Sequence, residues 1–308
     1  MPKAYAYTRY GGPETETFVD AERPVPSPGQ ILVAVRAAGV NPVDWKLRAG
    51  FFRRPGDTGE PGSPRVFGNE AAGVVEQTGE GVTGFAAGDA VFGNTVSGGY
   101  AEYALLPAAV TAHLPEELSF ADAAVLPVAA ATAYDGLRQL DLPAGATLLV
   151  TGAGGGVGVA VVQIARAFGL RVVGTASEAK KDFVEDLGAT HVVAGPDLAA
   201  RVRAAAPQGV DGVYDLVGGD VLQEVAALFD DRSRLISAAA RQEVERLGGA
   251  PVARARTTAV LDEVARLVVR GDLSPWVTRT YPLERAGEAL RAVEEGHTRG
   301  KVVIEVGA

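Results

Sequence analysis

The segment Thr151-Gly152-Ala153-Gly154-Gly155-Gly156-Val157-Gly158 limits the folds open to this chain more than any other. It stands between the short apolar run 147–151, which reads as a buried strand, and the stretch 157–168, which reads as a helix closed by Gly169. A glycine-rich turn joining a strand to a helix is the setting of a dinucleotide fingerprint. In register it reads Ala153, Gly155, Gly158. Gly155 lets a pyrophosphate approach the backbone, and Gly158 lets the helix pack closely on the strand. Gly152, Gly156 and Val157 complete the turn, and the helix N-terminus offers free N–H groups and partial positive charge to the diphosphate. The bland alternative is a glycine-rich loop that binds nothing. Strand–helix alternation on both sides favours binding.

Residues 142–165 carry no charge, yet they contain Pro143 and six glycines and change pattern midway, so they read as a strand–turn–helix and not as a membrane span. Around them the texture is that of a doubly wound parallel sheet. The strands read as 147–151, 171–175, 191–194, 213–217 and 235–238; the helices read as 157–168 and 178–187, with an Ala/Arg-rich surface helix over 199–206. A helix opened by Pro127 is expected to run towards Leu140. The first 110 residues differ: they are rich in Gly and Pro and hold β-like runs at 31–35, 71–76 and 99–105. The tail reads as helices about 257–270 and 284–295 and a strand 301–306. Two domains follow, one made of 1–118 with 274–308 and one of 119–273, in a chain of 308 residues.

A net charge of −9 argues against nucleic acid and anionic membrane as partners. The chain has no cysteine, which excludes disulfides, iron–sulfur clusters and thiol catalysis, and its three histidines stand far apart. No apolar segment follows Met1-Pro2-Lys3, so a signal peptide is not expected and the default compartment is the cytoplasm.

The second strand of a dinucleotide fold normally ends in an acid that holds the ribose of NAD. Here it runs into Thr175-Ala176-Ser177. Ser177 can hydrogen-bond a 2′-phosphate, and Lys181 or Lys180 can neutralise it, which favours NADPH. Glu178 is the rival, since it can still reach a ribose hydroxyl, and the lysines can also be a solvated helix face.

Several segments together resemble the medium-chain dehydrogenase/reductase superfamily in its zinc-independent quinone oxidoreductase branch. They are Ala38-Gly39-Val40-Asn41-Pro42-Val43-Asp44, Gly68-Asn69-Glu70-Ala71-Ala72-Gly73, Gly88-Asp89-Ala90-Val91, Gly98-Gly99-Tyr100-Ala101-Glu102-Tyr103, Thr132-Ala133-Tyr134, the fingerprint helix ending Gln163-Ile164-Ala165, and Arg299-Gly300-Lys301-Val302-Val303. The resemblance implies an α/β chain with a GroES-like β domain and a Rossmann domain, a homodimer, and a ligand between the domains. It also implies that Thr132, Val217, Ala238 and Ala239 lie along the cofactor. In zinc alcohol dehydrogenases of this superfamily, metal ligands stand where this chain has Asn41, Asn69 and Val128. Glu70 alone remains, and one carboxylate does not hold catalytic zinc.

Without a Lewis acid the substrate has to be electrophilic already. A quinone or an α,β-unsaturated carbonyl qualifies, with hydride supplied by NADPH. Asn41 can donate to the carbonyl or to the cofactor ribose, and Lys46, about a helical turn on, can face the developing negative charge. Their bland readings are a helix N-cap before Pro42 and a solvated lysine. Trp45 and Phe52 can wall the substrate, while Tyr100, Tyr103 and Tyr134 read as packing. Two other functions stay open: an enoyl-reductase-type tailoring enzyme of secondary metabolism, and a catalytically weak NADPH-binding sensor.

Overall fold

The computed structural model describes residues 1–53, 63–229, 231–296 and 298–307. The chain divides into two compact units: Met1–Val128 with Arg256–Ala265 and Val277–Ala308, and Ala129–Ala255 with Arg266–Trp276.

The first unit opens with β1 (Lys3–Tyr7), β2 (Glu16–Asp20) and the long β3 (Gln30–Val40), followed by helix α1 (Pro42–Arg48). Strands β4 (Arg65–Val66), β5 (Glu70–Thr78), β6 (Ala90–Asn94), β7 (Tyr103–Pro107) and β8 (Thr111–His113) come next, then the short helix α2 (Phe120–Ala123). Of the expected strand 99–105, only its second half forms. Gly99 and Tyr100 donate their backbone N–H to Phe67 O, and this drives the Tyr100 ring into the core.

The second unit contains α3 (Ala131–Leu140), β9 (Thr147–Thr151), α4 (Gly156–Ala167), β10 (Arg171–Ala176), α5 (Lys181–Asp186), β11 (Thr190–Val193), α6 (Leu198–Ala205), β12 (Gly212–Asp215), α7 (Gly219–Ala226), β13 (Leu235–Ser237), α8 (Arg241–Arg246) and β14 (Ala250–Pro251). Helix α9 (Thr258–Val269) carries residues of both units. The chain then returns to the first unit with β15 (Val277–Pro282), α10 (Ala286–Glu294) and β16 (Lys301–Glu305).

In the second unit all strand pairs are parallel, in the order β11-β10-β9-β12-β13-β14. Numbered within the unit this is 3-2-1-4-5-6, the order of a dinucleotide-binding sheet. Every residue of β9 is buried, as a central parallel strand covered on both faces must be. The sixth strand, β14, has two residues and one is proline, so no sequence period betrays it.

Three helical expectations change in detail. Residues 126–130 form a π-helical turn and α3 starts only at Ala131, because Pro127 has no N–H and the Val128 N–H goes to Glu70 Oε2 at 2.7 Å. The stretch 178–187 splits into a 3₁₀ turn, Glu178–Lys180, and α5. The surface helix at 199–206 buries Leu198 and Val202, one turn apart, against Leu149, Val173 and Val192.

In the first unit β3 organises the larger sheet. β5 runs along one side of it; on the other, β7 pairs Gln30–Ala34 and β16 pairs Ala37–Val40. Alternate residues Ile31, Val33 and Val35 point into a core shared with Val75, Val91, Leu106, Val302, Ile304 and Leu290. No helix among the described residues is long and apolar enough to cross a membrane.

Candidate functional site

The fingerprint loop has the shape its glycines require. Gly152 takes φ 70°, a left-handed conformation that suits glycine. A Cβ at Gly158 would lie 2.3 Å from Gly152 O and 2.7 Å from Ala153 Cα, so only glycine lets α4 pack on the turn. Over Gly155, the nearest atom to a Cβ would be Gly152 O at 3.5 Å, which leaves room above the backbone. Gly155 is also the N-cap of α4 and provides no side chain to its first turn. The N–H groups of Gly156, Val157 and Gly158 have no partner within the helix. An open helix N-terminus behind an uncrowded backbone fits a diphosphate.

Past β10, Ser177 is exposed at the start of the 3₁₀ turn and Lys181 is exposed at the start of α5. Lys180 behaves differently. Its stem lies across Gly154, where a Cβ would meet Lys180 Cδ at 2.7 Å, and its Nζ is 3.5 Å from Gly154 O. Two lysines adjacent in sequence are thus separated by the fold, one lying on the fingerprint loop and one facing solvent.

The carboxyl ends of β9, β12 and β13 are tied together by Asp215, which is fully buried. Its Oδ1 accepts from Thr151 Oγ1 at 2.7 Å and from the Val217 and Gly218 N–H groups at 3.1 Å; its Oδ2 accepts from Ser237 Oγ at 2.6 Å. Ser237 Oγ in turn accepts from the N–H groups of Ala239 and Ala240. This knot shapes both loops that carry Val217, Ala238 and Ala239. The Val217 side chain is 51% exposed and reaches within 3.2 Å of a Cβ placed on Gly152. The Thr132 hydroxyl accepts from Arg254 Nη1 at 2.5 Å, and its carbonyl accepts from the Tyr214 hydroxyl at 2.6 Å. The sequence marks Asp215 only as a lone acid in an apolar strand.

The first unit assembles a second cluster. Antiparallel pairing sets Val302 opposite Val40 and Ala71 opposite Ala38, which brings Asn41, Glu70 and Lys301 to one end of three strands. Asn41 Nδ2 donates to Glu70 Oε1 at 2.7 Å. Lys301 Nζ donates to Asn41 Oδ1 at 2.6 Å, to Glu70 Oε1 at 3.1 Å and to Val40 O at 3.3 Å. All three side chains are buried. Gly39 makes this possible, since a Cβ there would lie 2.1 Å from Glu70 Oε1.

Asn41 occupies the N-cap of α1, with Pro42 behind it, and Asp44 Oδ2 accepts from the Asn41 backbone N–H at 2.8 Å. Asp44 also accepts from Asn69 Nδ2 at 2.6 Å and from the Tyr100 hydroxyl at 2.9 Å, so Tyr100 does more than pack. Burial pushes the Asp44 carboxyl up to about 6, against the pull of these hydrogen bonds. Asp44 and Asn69 line a cavity of about 420 Å³ within this unit, together with Leu47, Phe67, Thr95 and Val96. Residues 95–98 contribute to its wall. Trp45 instead packs on the core of the unit, and Phe52 is 60% exposed. Lys46 Nζ stands 5.7 Å from the Trp45 ring centre and forms no ion pair among the described residues, so Lys46 does not join the Asn41 cluster.

This donor set does not fit zinc. It offers one carboxylate and two carboxamides, and an ammonium already rests on the carboxylate.

Known proteins match both units. Residues 27–116 match the alcohol dehydrogenase GroES-like domain, and residues 187–304 match the zinc-binding dehydrogenase family. Quinone oxidoreductase of Rattus norvegicus is 34% identical over 98% of this chain and 96% of its own length. The structure of the quinone oxidoreductase from Coxiella burnetii superposes with TM-score 0.87 at 28% identity, covering 99% of each chain. A mycobacterial protein solved in complex with NADPH superposes with TM-score 0.87 at 29% identity, over 99% of this chain and all of the other. With the fold, the fingerprint and a donor set unsuited to zinc in agreement, this chain belongs to the medium-chain dehydrogenase/reductase superfamily, in its zinc-independent quinone oxidoreductase branch.

Proposed function

We propose that this oxidoreductase uses NADPH to reduce a quinone or an α,β-unsaturated carbonyl compound without zinc. Bound NADPH supplies the hydride; the chain's residues hold it, orient the acceptor and stabilise the charge that forms. Gly155, Gly156, Val157 and Gly158 take the diphosphate, and Ser177 and Lys181 take the 2′-phosphate. Thr132, Val217, Ala238 and Ala239 flank the remainder of the cofactor. The NADPH bound to the mycobacterial neighbour supports the choice of cofactor.

One observation carries the reading of the chemistry. The Asn41 carboxamide is locked by Glu70 and Lys301, and its second Nδ2–H has no partner among the described residues. Asn41 is the donor that meets the oxygen on which negative charge builds, or the ribose of the cofactor. A preorganised donor of this type contributes about 3–4 kcal/mol when it acts on the transition state. Lys46, which stands apart from the Asn41 cluster, is the cation that faces the same charge once the acceptor is bound. A homodimer in the cytoplasm completes the proposal.

The test is turnover on a panel of quinones, enals and enoyl thioesters with NADPH and with NADH. Asn41→Ala is expected to lower kcat about a hundredfold while NADPH affinity changes little, and Lys46→Met is expected to lower it less. Loss of NADPH affinity with turnover intact would reassign Asn41 to cofactor binding. NADPH binding without turnover of any acceptor would favour the sensor reading, and turnover confined to one thioester would favour the enoyl reductase.

A further inference from the structure

We infer that Lys301 is a positioning residue: its buried ammonium sets the amide of Asn41 so that one N–H is kept for the acceptor oxygen. The inference rests on the reading of Asn41 as that donor and adds the residue that orients it.

A carboxamide can sit in either of two flips, and its environment has to choose. Lysine offers only donors, and an ionised glutamate only acceptors. Lys301 Nζ at 2.6 Å therefore faces Oδ1 of Asn41, and Glu70 Oε1 at 2.7 Å faces Nδ2. Both partners specify the same flip. Lys301 and Glu70 are also bound to each other at 3.1 Å, which closes a three-membered ring around the amide. The ring is fixed from outside by Val40 O on Lys301 and by the Val128 N–H on the other oxygen of Glu70. Lys301 is 4% exposed and Glu70 is fully buried, so water does not compete for these bonds. One Nδ2 hydrogen is spent on Glu70, and the second points elsewhere with no partner among the described residues. Without Lys301 the amide oxygen loses its one side-chain donor among the described residues, and with Glu70 also replaced by glutamine, whose amide donates as well as accepts, the flip is no longer dictated by both partners and the donor is present in only part of the molecules.

The ring also supplies a positive charge between Asn41 and Glu70 from the chain itself. Lys301→Met leaves Glu70 buried and unpaired, which threatens the fold. The double variant Lys301→Met/Glu70→Gln removes both charges and keeps an acceptor for Asn41 Nδ2.

The experiment measures kcat and KM for 1,4-naphthoquinone, NADPH dissociation, and melting temperature in wild type, K301M, K301M/E70Q, K301R and N41A. It adds the Asn41 side-chain amide resonances of the NADPH-free protein, assigned by their loss in N41A. K301M/E70Q is expected to fold, to bind NADPH within about twofold of wild type, and to lose about ten- to a hundredfold in kcat, the size of loss that follows when the hydrogen-bond partner orienting a metal-ligating side chain is removed. Its Asn41 amide resonances should shift, and K301R should recover part of the turnover. Adding K301M/E70Q to N41A should cost nothing further, because both act through one amide. Full turnover in K301M/E70Q with unmoved amide resonances would overturn the inference, and so would losses that add to those of N41A. If N41A alone keeps full kcat, the donor reading of Asn41 falls. If N41A loses turnover and K301M/E70Q keeps it, that reading stands and the inference about Lys301 alone fails.

Discussion

Lys180 and Lys181 are chemically identical and adjacent, yet the fold gives them different surroundings. The Lys180 stem covers Gly154, while Lys181 is exposed beside Ser177 at the entrance of α5. An exposed ammonium costs little desolvation to bring against a phosphate, and a charge-assisted contact of this type is worth about 1.5–3 kcal/mol, or about ten- to a hundredfold in affinity. Lys181→Ala is therefore expected to weaken NADPH by about that factor and NADH by much less. Fluorescence titration of both cofactors checks this. An equal effect on the two would remove Lys181 from the 2′-phosphate and move the assignment to Lys180. Residue identity marked the pair; only the path of the chain after β10 separates them. Asn41 shows the same division, since its N-cap position before Pro42 is legible in the sequence and its bonds to Glu70 and Lys301 are not.

Elements with a strong apolar run were legible nearly to their ends. β9 and α4 match the runs at 147–151 and 157–168 to within a residue, because a central strand covered on both faces keeps an apolar stretch, Leu148–Val150, between its two buried threonines, and the helix follows directly on the fingerprint turn. Elements whose ends are set by partners were not. The Val128 N–H is taken by Glu70, so the helix expected from Pro127 begins at Ala131. The strand expected at 99–105 gives up its first half to bonds with Phe67. The Asp215 knot also belongs to this scale, since one carboxylate fixes the loops after β12 and β13. Asp215→Asn replaces an acceptor oxygen with an N–H donor while the Val217 and Gly218 N–H groups and two hydroxyls still point at it. A buried donor left unpaired costs about 1–3 kcal/mol. The variant is expected to lose at least that much stability in denaturant titration and to bind NADPH more weakly, since Val217, Ala238 and Ala239 lose their fixed loops. Unchanged values of both would show that these loops hold themselves.

Across the whole chain, the order of parallel strands in one unit and the β3-centred sheet of the other give the fold, and 34% identity to a quinone oxidoreductase over 98% of the chain gives the branch. Metal independence is the expectation at the scale of the whole molecule. Prolonged chelation is expected to leave turnover unchanged, and elemental analysis is expected to find no stoichiometric zinc. The reason is that the ammonium of Lys301 already satisfies the one carboxylate of the cluster. Zinc-dependent recovery of a chelated sample would overturn this.

By itself the sequence determined what depends on neighbours along the chain. The fingerprint turn needs Gly152 at positive φ and Gly158 against Ala153, and both constraints act within seven residues. The parallel strands needed continuous apolar runs, and the lack of cysteine closed off thiol and cluster chemistry. Only the tertiary structure decided what depends on strand register. Asn41 meets Glu70 across 29 positions and Lys301 across 260, because β3, β5 and β16 end at one place. Hydrogen bonds reach about 3 Å whatever the separation in sequence, so no local pattern records such contacts. The sequence names the residues, and the pairing of three strands makes them one ring.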